Sequence, residues 1–453
     1  MTTPYDRKTR RQFLQRASAL VGAASIGLQT QSQAQAQTQP PDYKALVCVF
    51  FLGGNDGHNL LVPMGVAAHA SYRAGRGILA LPDNNAGLLA VATPGGVPYA
   101  LHSGLAAIAP LWAQGQLAAV ANVGMLVQPT TRAQVLAGTA KLPTNLYSHS
   151  DQIVQMQAGD PNGSGGTGWA GRSADAVQVR NGTARFPASI SMNGSALFCA
   201  GSTVQSASLV PGFDLSANGL SGWPASAAAA KAQALNEILA LDSGMAMVQA
   251  ANRVRADAVA LSGLLKGSTG GGFASPFPGT NIGQQMLQVA RIIKLRASTG
   301  MARQVFFCGI GGFDTHSAQA WDQFDNLRNA AQAMAAFQAA MQEMGLAQQV
   351  TTFTESEFGR SLQPSGTGSD HGWGSHHLVL GGAVKGGQVY GKFPSLQLGG
   401  PDDAGNRGVL IPSTSLDQYG ATLARWFGVG PAEMPKVFPN LGNFAAADLG
   451  FLG

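Results

Sequence analysis

Apolar runs and polar breaks alternate along the chain with two periods. Ala45–Leu52 is a continuous apolar run closed by Gly53 and Gly54, the pattern of a strand buried on both faces of a parallel sheet. The same pattern predicts strands over Leu117–Val123, Val305–Cys308 and Val350–Thr354, with shorter ones at Ala188–Met192, Leu378–Leu380 and Val409–Ile411. Helical spacing predicts helices over His102–Gln114, Gln152–Ala158, Ile282–Ala297, Ser317–Gly345 and Ser415–Phe427. A long Ala-rich helical pattern covers Ala225–Leu265, and a Gly/Pro-rich loop runs from Ser268 to Gly279. Strands alternating with long helices predict an α/β fold, a mostly parallel central sheet flanked by helices. The segment from about 180 to 280 breaks that rhythm and reads as an inserted cap region of helical and β character. No internal repeat is visible.

The N-terminus changes how the charge is understood. Arg7, Lys8, Arg10, Arg11 and Arg16 precede or open the apolar run Ala17–Leu28, and small residues follow at Ser32, Ala34 and Ala36. This is the layout of an export signal. Thr9–Gln15 resembles the twin-arginine motif read by the twin-arginine translocase. The apolar run is too short for a stable membrane span, and no other stretch reaches the length of one. The alternative reading is a basic tail. The expected organisation is a signal peptide over 1–36, a linker over 37–44 and one domain over 45–453, in a periplasmic or secreted protein.

The chain has 453 residues, of which 45% are apolar, which excludes disorder for its bulk. Only 11% are charged, with a formal net charge of +5. Cleavage after Ala36 leaves 23 basic and 22 acidic residues, so the basicity belongs mostly to the leader. No Lys/Arg cluster suggests a nucleic-acid partner. The three cysteines, Cys48, Cys199 and Cys308, have no zinc-knuckle or redox spacing and read as packing residues.

Against so little charge, histidines and carboxylates collect in four windows, three of them directly after strands, where open α/β sheets place their sites. They are Gly53–Asn59 with Asp56, Gly311–His316 with Asp314 and His316, Glu355–Arg360 with Glu357, and Ser369–His377 with Asp370 and His371. Carboxylates with neutral imidazoles suit a divalent metal, zinc above all, with manganese, magnesium or calcium as alternatives. Each window also has a plain reading: Asp56 as a turn residue, Asp314 as a helix cap, Glu357 and Arg360 as an ion pair. Ser148 sits at an expected helix start and is a candidate nucleophile, although a helix N-cap is the stronger reading of the residue alone. No Gly-x-Ser-x-Gly elbow, phosphate-binding loop or dinucleotide fingerprint is present.

The motifs FFLGGNDGHNLLVP, SHSDQ, GTGWAGR, GGFDTH, TESEFGR, SDHGWGSHHLVLGGAVKGG and IPSTSLDQYGATLARWFGV occur in the order typical of the bacterial family known as domain of unknown function 1501. The resemblance runs from about Ala45 to Val429. That family is itself similar to the alkaline phosphatase and sulfatase superfamily, which implies a metal-dependent site at the strand ends. Under this resemblance Asp56 matches the first metal-binding aspartate and Ser148 the nucleophile. Asp314 and His316 match the mid-chain ligands, and His371, with Asp370 or His376, the late histidine. Two departures are visible. Asp314 and His316 are two apart where the phosphatases usually space them by four, and Glu355-Ser356-Glu357 replaces an Asp-His pair.

The implied activity is hydrolysis of phosphate or sulfate esters, small or polymeric. Asp56, Asp314, His316, Glu357, Asp370 and His371 are the metal-ligand candidates, Ser148 attacks, and Arg360 or Arg172 stabilises the transferred group. The alternative is a non-catalytic exported binding or assembly protein that keeps the fold.

Overall fold

The computed structural model describes residues 42–211, 223–241, 244–249 and 272–453, and six positions between 251 and 262. The expected leader and the linker up to residue 41 lie outside these residues. So do much of the expected Ala-rich helix beyond 241 and residues 268–271 of the following loop. Described strands in the first half are β1 (Lys44–Phe51), β2 (Leu61–Pro63), β3 (Leu88–Val91), β4 (Tyr99–His102), β5 (Leu117–Gly124), β6 (Ser189–Ser191) and β7 (Ser206–Ser208). In the second half they are β8 (Arg303–Ile310), β9 (Val350–Ser356), β10 (Arg360–Ser365), β11 (Gly368–His371), β12 (Ser375–Leu380), β13 (Val389–Tyr390) and β14 (Thr414–Ser415). The helices that matter below are α1 (Gly57–Leu60), α2 (Val66–Arg76), α3 (His149–Ala158), α4 (Trp169–Val177), α5 (Ala225–Ala240), α6 (Asn281–Lys294), α7 (Gln319–Glu343) and α8 (Leu416–Phe427).

Nine of these strands form one sheet in the order β13-β5-β12-β9-β1-β8-β6-β7, with β14 also on β5. Only β12 runs against the others, so the sheet is mostly parallel, as the sequence pattern predicts. Central strand β1 is covered on both faces and reads as an unbroken apolar run for that reason. Its register puts Phe51 level with Ile310 of β8 and Ser356 of β9. The three loops that carry the candidate residues therefore leave the sheet at one height. Helix α6 packs on α7 and on β8, while α4 and α8 pack on each other and on the sheet.

Several boundaries differ from the expected ones for identifiable reasons. His102 ends β4 instead of opening a helix; the helical turn there restarts at Pro110, which needs no N–H partner at a first helical position. Leu410 makes only an isolated bridge to Asp403, so Val409–Ile411 is not a strand. The stretch from about 180 contributes β6 and β7 to the main sheet. Helix α8 starts on a capping box between Ser415 and Gln418. All three cysteines are buried and unpaired. No helix among the described residues is long and apolar enough to cross a membrane.

Four histidines are buried in this framework. Burial pushes His58, His376 and His377 down to about 3 and His102 down to about 4. An unfolded imidazole binds its proton near pH 6.5, so each adds stability that is complete above that value and is lost as pH falls toward 3–4. Two buried carboxyls act in the opposite sense, Glu355, raised by burial, and Asp417, raised to about 6. The imidazoles outnumber them. Equilibrium urea unfolding is expected to lose about 1–3 kcal/mol per pH unit between pH 6.5 and 5. An unfolding midpoint unchanged across that range would contradict the assignment.

Candidate metal centre

Three segments converge at the carboxyl edge of β1, β8 and β9. Gly53, with φ of 123°, brings the β1 loop so close to the β8 loop that a Cβ there would sit 2.2 Å from the Asp314 nitrogen. Only glycine fits. The Gly53 N–H donates to Glu357 Oε1 at 2.8 Å, which ties the β1 loop to the residue that follows β9.

Glu357 is buried, and the same oxygen lies 2.9 Å from His149 Nδ1, at the start of α3. A carboxylate can only accept, so Nδ1 carries the hydrogen and Nε2 offers its lone pair. His371, at the end of β11, repeats the arrangement. Its Nδ1 lies 2.9 Å from the Tyr147 carbonyl, which again leaves Nε2 as the lone-pair nitrogen. Tyr147 itself is held at a left-handed φ of 75°, and its N–H donates to Gln152. The Phe358 ring packs beside both imidazoles, at 4.8 Å from His149 and 4.7 Å from His371.

The two lone pairs meet beside Asp314. His149 Nε2 is 3.1 Å from His371 Nε2 and 3.4 Å from Asp314 Oδ2, and His371 Nε2 is 3.3 Å from Asp314 Oδ1. His316 Nε2 adds a fourth donor, 3.0 Å from His371 Nε2 and 3.0 Å from Asp314 Oδ1. A tetrahedral ion with bonds of about 2.0–2.1 Å holds its ligand atoms about 3.3 Å apart. The donor set therefore fits a zinc-sized ion, with His149, His371 and Asp314 within reach of one another and His316 beside them. The Glu357–His149 and Tyr147–His371 contacts are the outer partners that metal-bound imidazoles ordinarily have.

The electrostatics agree with this. Partial burial would raise the Asp314 carboxyl, but the hydrogen bond and charge of Arg360, with His149 and His316, hold it below the ordinary carboxylate value. The hydrogen bond that His149 donates to Glu357 raises His149, whereas burial and neighbouring positive charge lower His371. About half of the Asp314 and His316 side chains faces solvent, which leaves one side of the group open.

The other expected site residues are placed differently. Asp56 is buried away from the cluster: it caps α1 by accepting from His58 N at 3.1 Å, and it pairs with buried Arg76 and with Gln319. Its carboxylate is thus already filled by a cation and two N–H donors. Glu357 stands behind His149. Asp370 pairs with Arg407 at 2.7 Å and lies 3.8 Å from His316 Nδ1, beyond hydrogen-bond range. His376 accepts from Asn122 N at 2.9 Å within the core.

Arg360 is fully buried and donates to Asp314 at 3.1 Å, to Gly53 O at 3.0 Å and to Ser369 O at 3.0 Å. It fixes Asp314 and has little left for a ligand. Arg172 is likewise spent, on the Thr167, Ala158 and Val437 carbonyls. Ser148 is the N-cap of α3, its hydroxyl held by Asp151. Sequence reasoning passed over His149, its neighbour. The signal available was an imidazole inside Ser148-His149-Ser150-Asp151-Gln152, flanked by two hydroxyls that suit a helix N-cap.

Fold and site together define a mostly parallel α/β protein with a histidine–carboxylate centre at the strand ends. The chain belongs to the family described as a protein of unknown function, DUF1501, whose profile matches residues 43–404. No curated protein matches it in sequence. In three dimensions it is similar to the PsFucS1 sulfatase from Pseudoalteromonas sp., with 10% identity and a TM-score of 0.32, over 86% of this chain and 68% of that one.

Zinc titration against a chelating dye checks the assignment of ligands. Asp314→Ala and His371→Ala are expected to abolish stoichiometric binding, and Glu357→Gln to weaken it by about 10–100-fold. Asp370→Asn should change it little. A loss in Asp370→Asn equal to that in Asp314→Ala would refute the placement.

Proposed function

We propose that the protein is an exported, zinc-dependent hydrolase of phosphate or sulfate esters. The observation that carries the reading is the pair of fixed Nε2 lone pairs, His149 and His371, spaced with Asp314 for one tetrahedral ion on a partly open edge. Two imidazoles with one carboxylate favour zinc over magnesium or calcium, which take oxygen ligands. The ester class rests on the resemblance of the family to the alkaline phosphatase and sulfatase superfamily. Export rests on the twin-arginine leader and makes the translocase a transient partner.

When bound, the ion supplies Lewis acidity to an ester oxygen and lowers the pKa of a hydroxyl or water nucleophile. The chain's own groups do the positioning. Glu357 locks the His149 tautomer, and Arg360 holds Asp314 as a carboxylate facing the open side. The first turn of α3 presents free N–H groups, a favourable place for an anion. Ser148 stands at that turn, and its hydroxyl must leave Asp151 before it can attack. That engagement favours the second reading, a binding or assembly protein with a structural ion.

Turnover of p-nitrophenyl phosphate and p-nitrophenyl sulfate by the zinc-loaded chain separates the two. The hydrolase reading expects turnover of at least one ester, loss of it on chelation, and a drop of at least about 100-fold in Asp314→Ala. Stoichiometric zinc with no turnover of either ester would favour the binding reading.

A further inference from the structure

A cavity of about 340 Å³ is lined in part by the loops that follow β1 and β8, the two that carry Gly53 and Asp314. Leu52 lines it and directly precedes Gly53; Gly311 lines it and lies three residues before Asp314. Three residues span no more than about 11 Å, so Gly311 at the cavity wall lies within that distance of Asp314. The volume lies at the small end of ordinary ligand pockets.

The lining is unusual for this chain in being rich in carboxamides and free of charge. Asn193, Asn281, Asn326 and Asn329 contribute, with Thr280. Their internal hydrogen bonds use only part of their capacity. Asn326 Nδ2 donates to Gly312 O at 2.7 Å and Asn329 Nδ2 to Asp325 Oδ2 at 3.1 Å, so both Oδ1 atoms remain as acceptors. Asn281 Oδ1 accepts from Gln285, which leaves its Nδ2 as a donor. The Asn193 side chain has no hydrogen-bond partner among the described residues, and a Cβ on Gly309 would come within 2.3 Å of its Nδ2. Glycine at 309 thus makes room for Asn193. The remaining side chains, Leu52, Ile282 and Ile310, are aliphatic.

Paired donors and acceptors without formal charge, set against aliphatic surface, match a ligand that carries several hydroxyls on a C–H framework. A charged ligand would find no counter-ion here. We propose that this cavity receives an uncharged sugar residue, which makes the substrate class carbohydrate esters of phosphate or sulfate. The proposal rests on the hydrolase reading for the ester, but the sugar subsite stands on the cavity alone.

Saturation-transfer NMR on the full chain tests it, with methyl glycosides of hexoses, 6-deoxyhexoses and N-acetylhexosamines as probes. Glycosides without an ester keep the subsite separate from the hydrolysis. At least one glycoside is expected to bind, and at least tenfold more weakly to Asn193→Ala and to Gly311→Phe, while zinc stoichiometry and far-UV circular dichroism stay unchanged. A Cβ at Gly311 meets nothing within 4 Å, so the new ring can enter the cavity without a clash from the backbone. Gly311→Ala serves as the milder variant if Gly311→Phe fails to fold. Absence of glycoside binding, or binding unaltered in both variants, would overturn the proposal even if the chain hydrolyses aryl esters. Glycoside binding without ester turnover would uphold the subsite and sink the hydrolase reading instead.

Discussion

One buried carboxylate oxygen holds the site together. Glu357 Oε1 accepts the Gly53 N–H and faces His149 Nδ1, so it joins the β1 loop, the end of β9 and the start of α3. A carboxylate buried in this way costs several kcal/mol unless charge-assisted donors surround it, and both donors come from segments far away in sequence. The level register of β1, β8 and β9 makes this closure possible, because it delivers three loops to the same height. Arg360 does the equivalent for Asp314 from beneath, with its guanidinium spent on backbone carbonyls and on that one carboxylate.

The fold was legible where burial alone dictates the pattern. The apolar runs of β1, β5, β8 and β9 and the long helical pattern of α7 follow from a parallel sheet covered on both faces. Short strands such as β2 and β4 escaped because their side chains carry no period long enough to read. At the site, Asp314, His316 and His371 were visible as ligand types after strand ends. His149 was not, because its orientation is set by Glu357, 208 residues away.

Scarcity of charge proved a looser guide than it promised. With so few charged residues, each carboxylate in a strand-end window looks functional, yet several carry the framework. Asp56 caps a helix and neutralises Arg76, and Asp403 gathers the N–H groups of Gly399, Gly405, Gly408 and Val409. Arg303 is buried and pairs with Asp42 at the start of β1. Buried charges survive only when paired or hydrogen-bonded, so a low-charge chain spends much of its charge on such partnerships. Convergence of lone pairs, which only the folded chain displays, separates Asp314 from Asp56.

The most direct test of the centre is diffraction from crystals of the zinc-loaded chain, with data collected on both sides of the zinc absorption edge. The account predicts one anomalous peak about 2.0–2.2 Å from His149 Nε2, His371 Nε2 and the Asp314 carboxylate. A peak on Asp56 or Asp370 with those two imidazoles uncoordinated, or no peak at all, would contradict it.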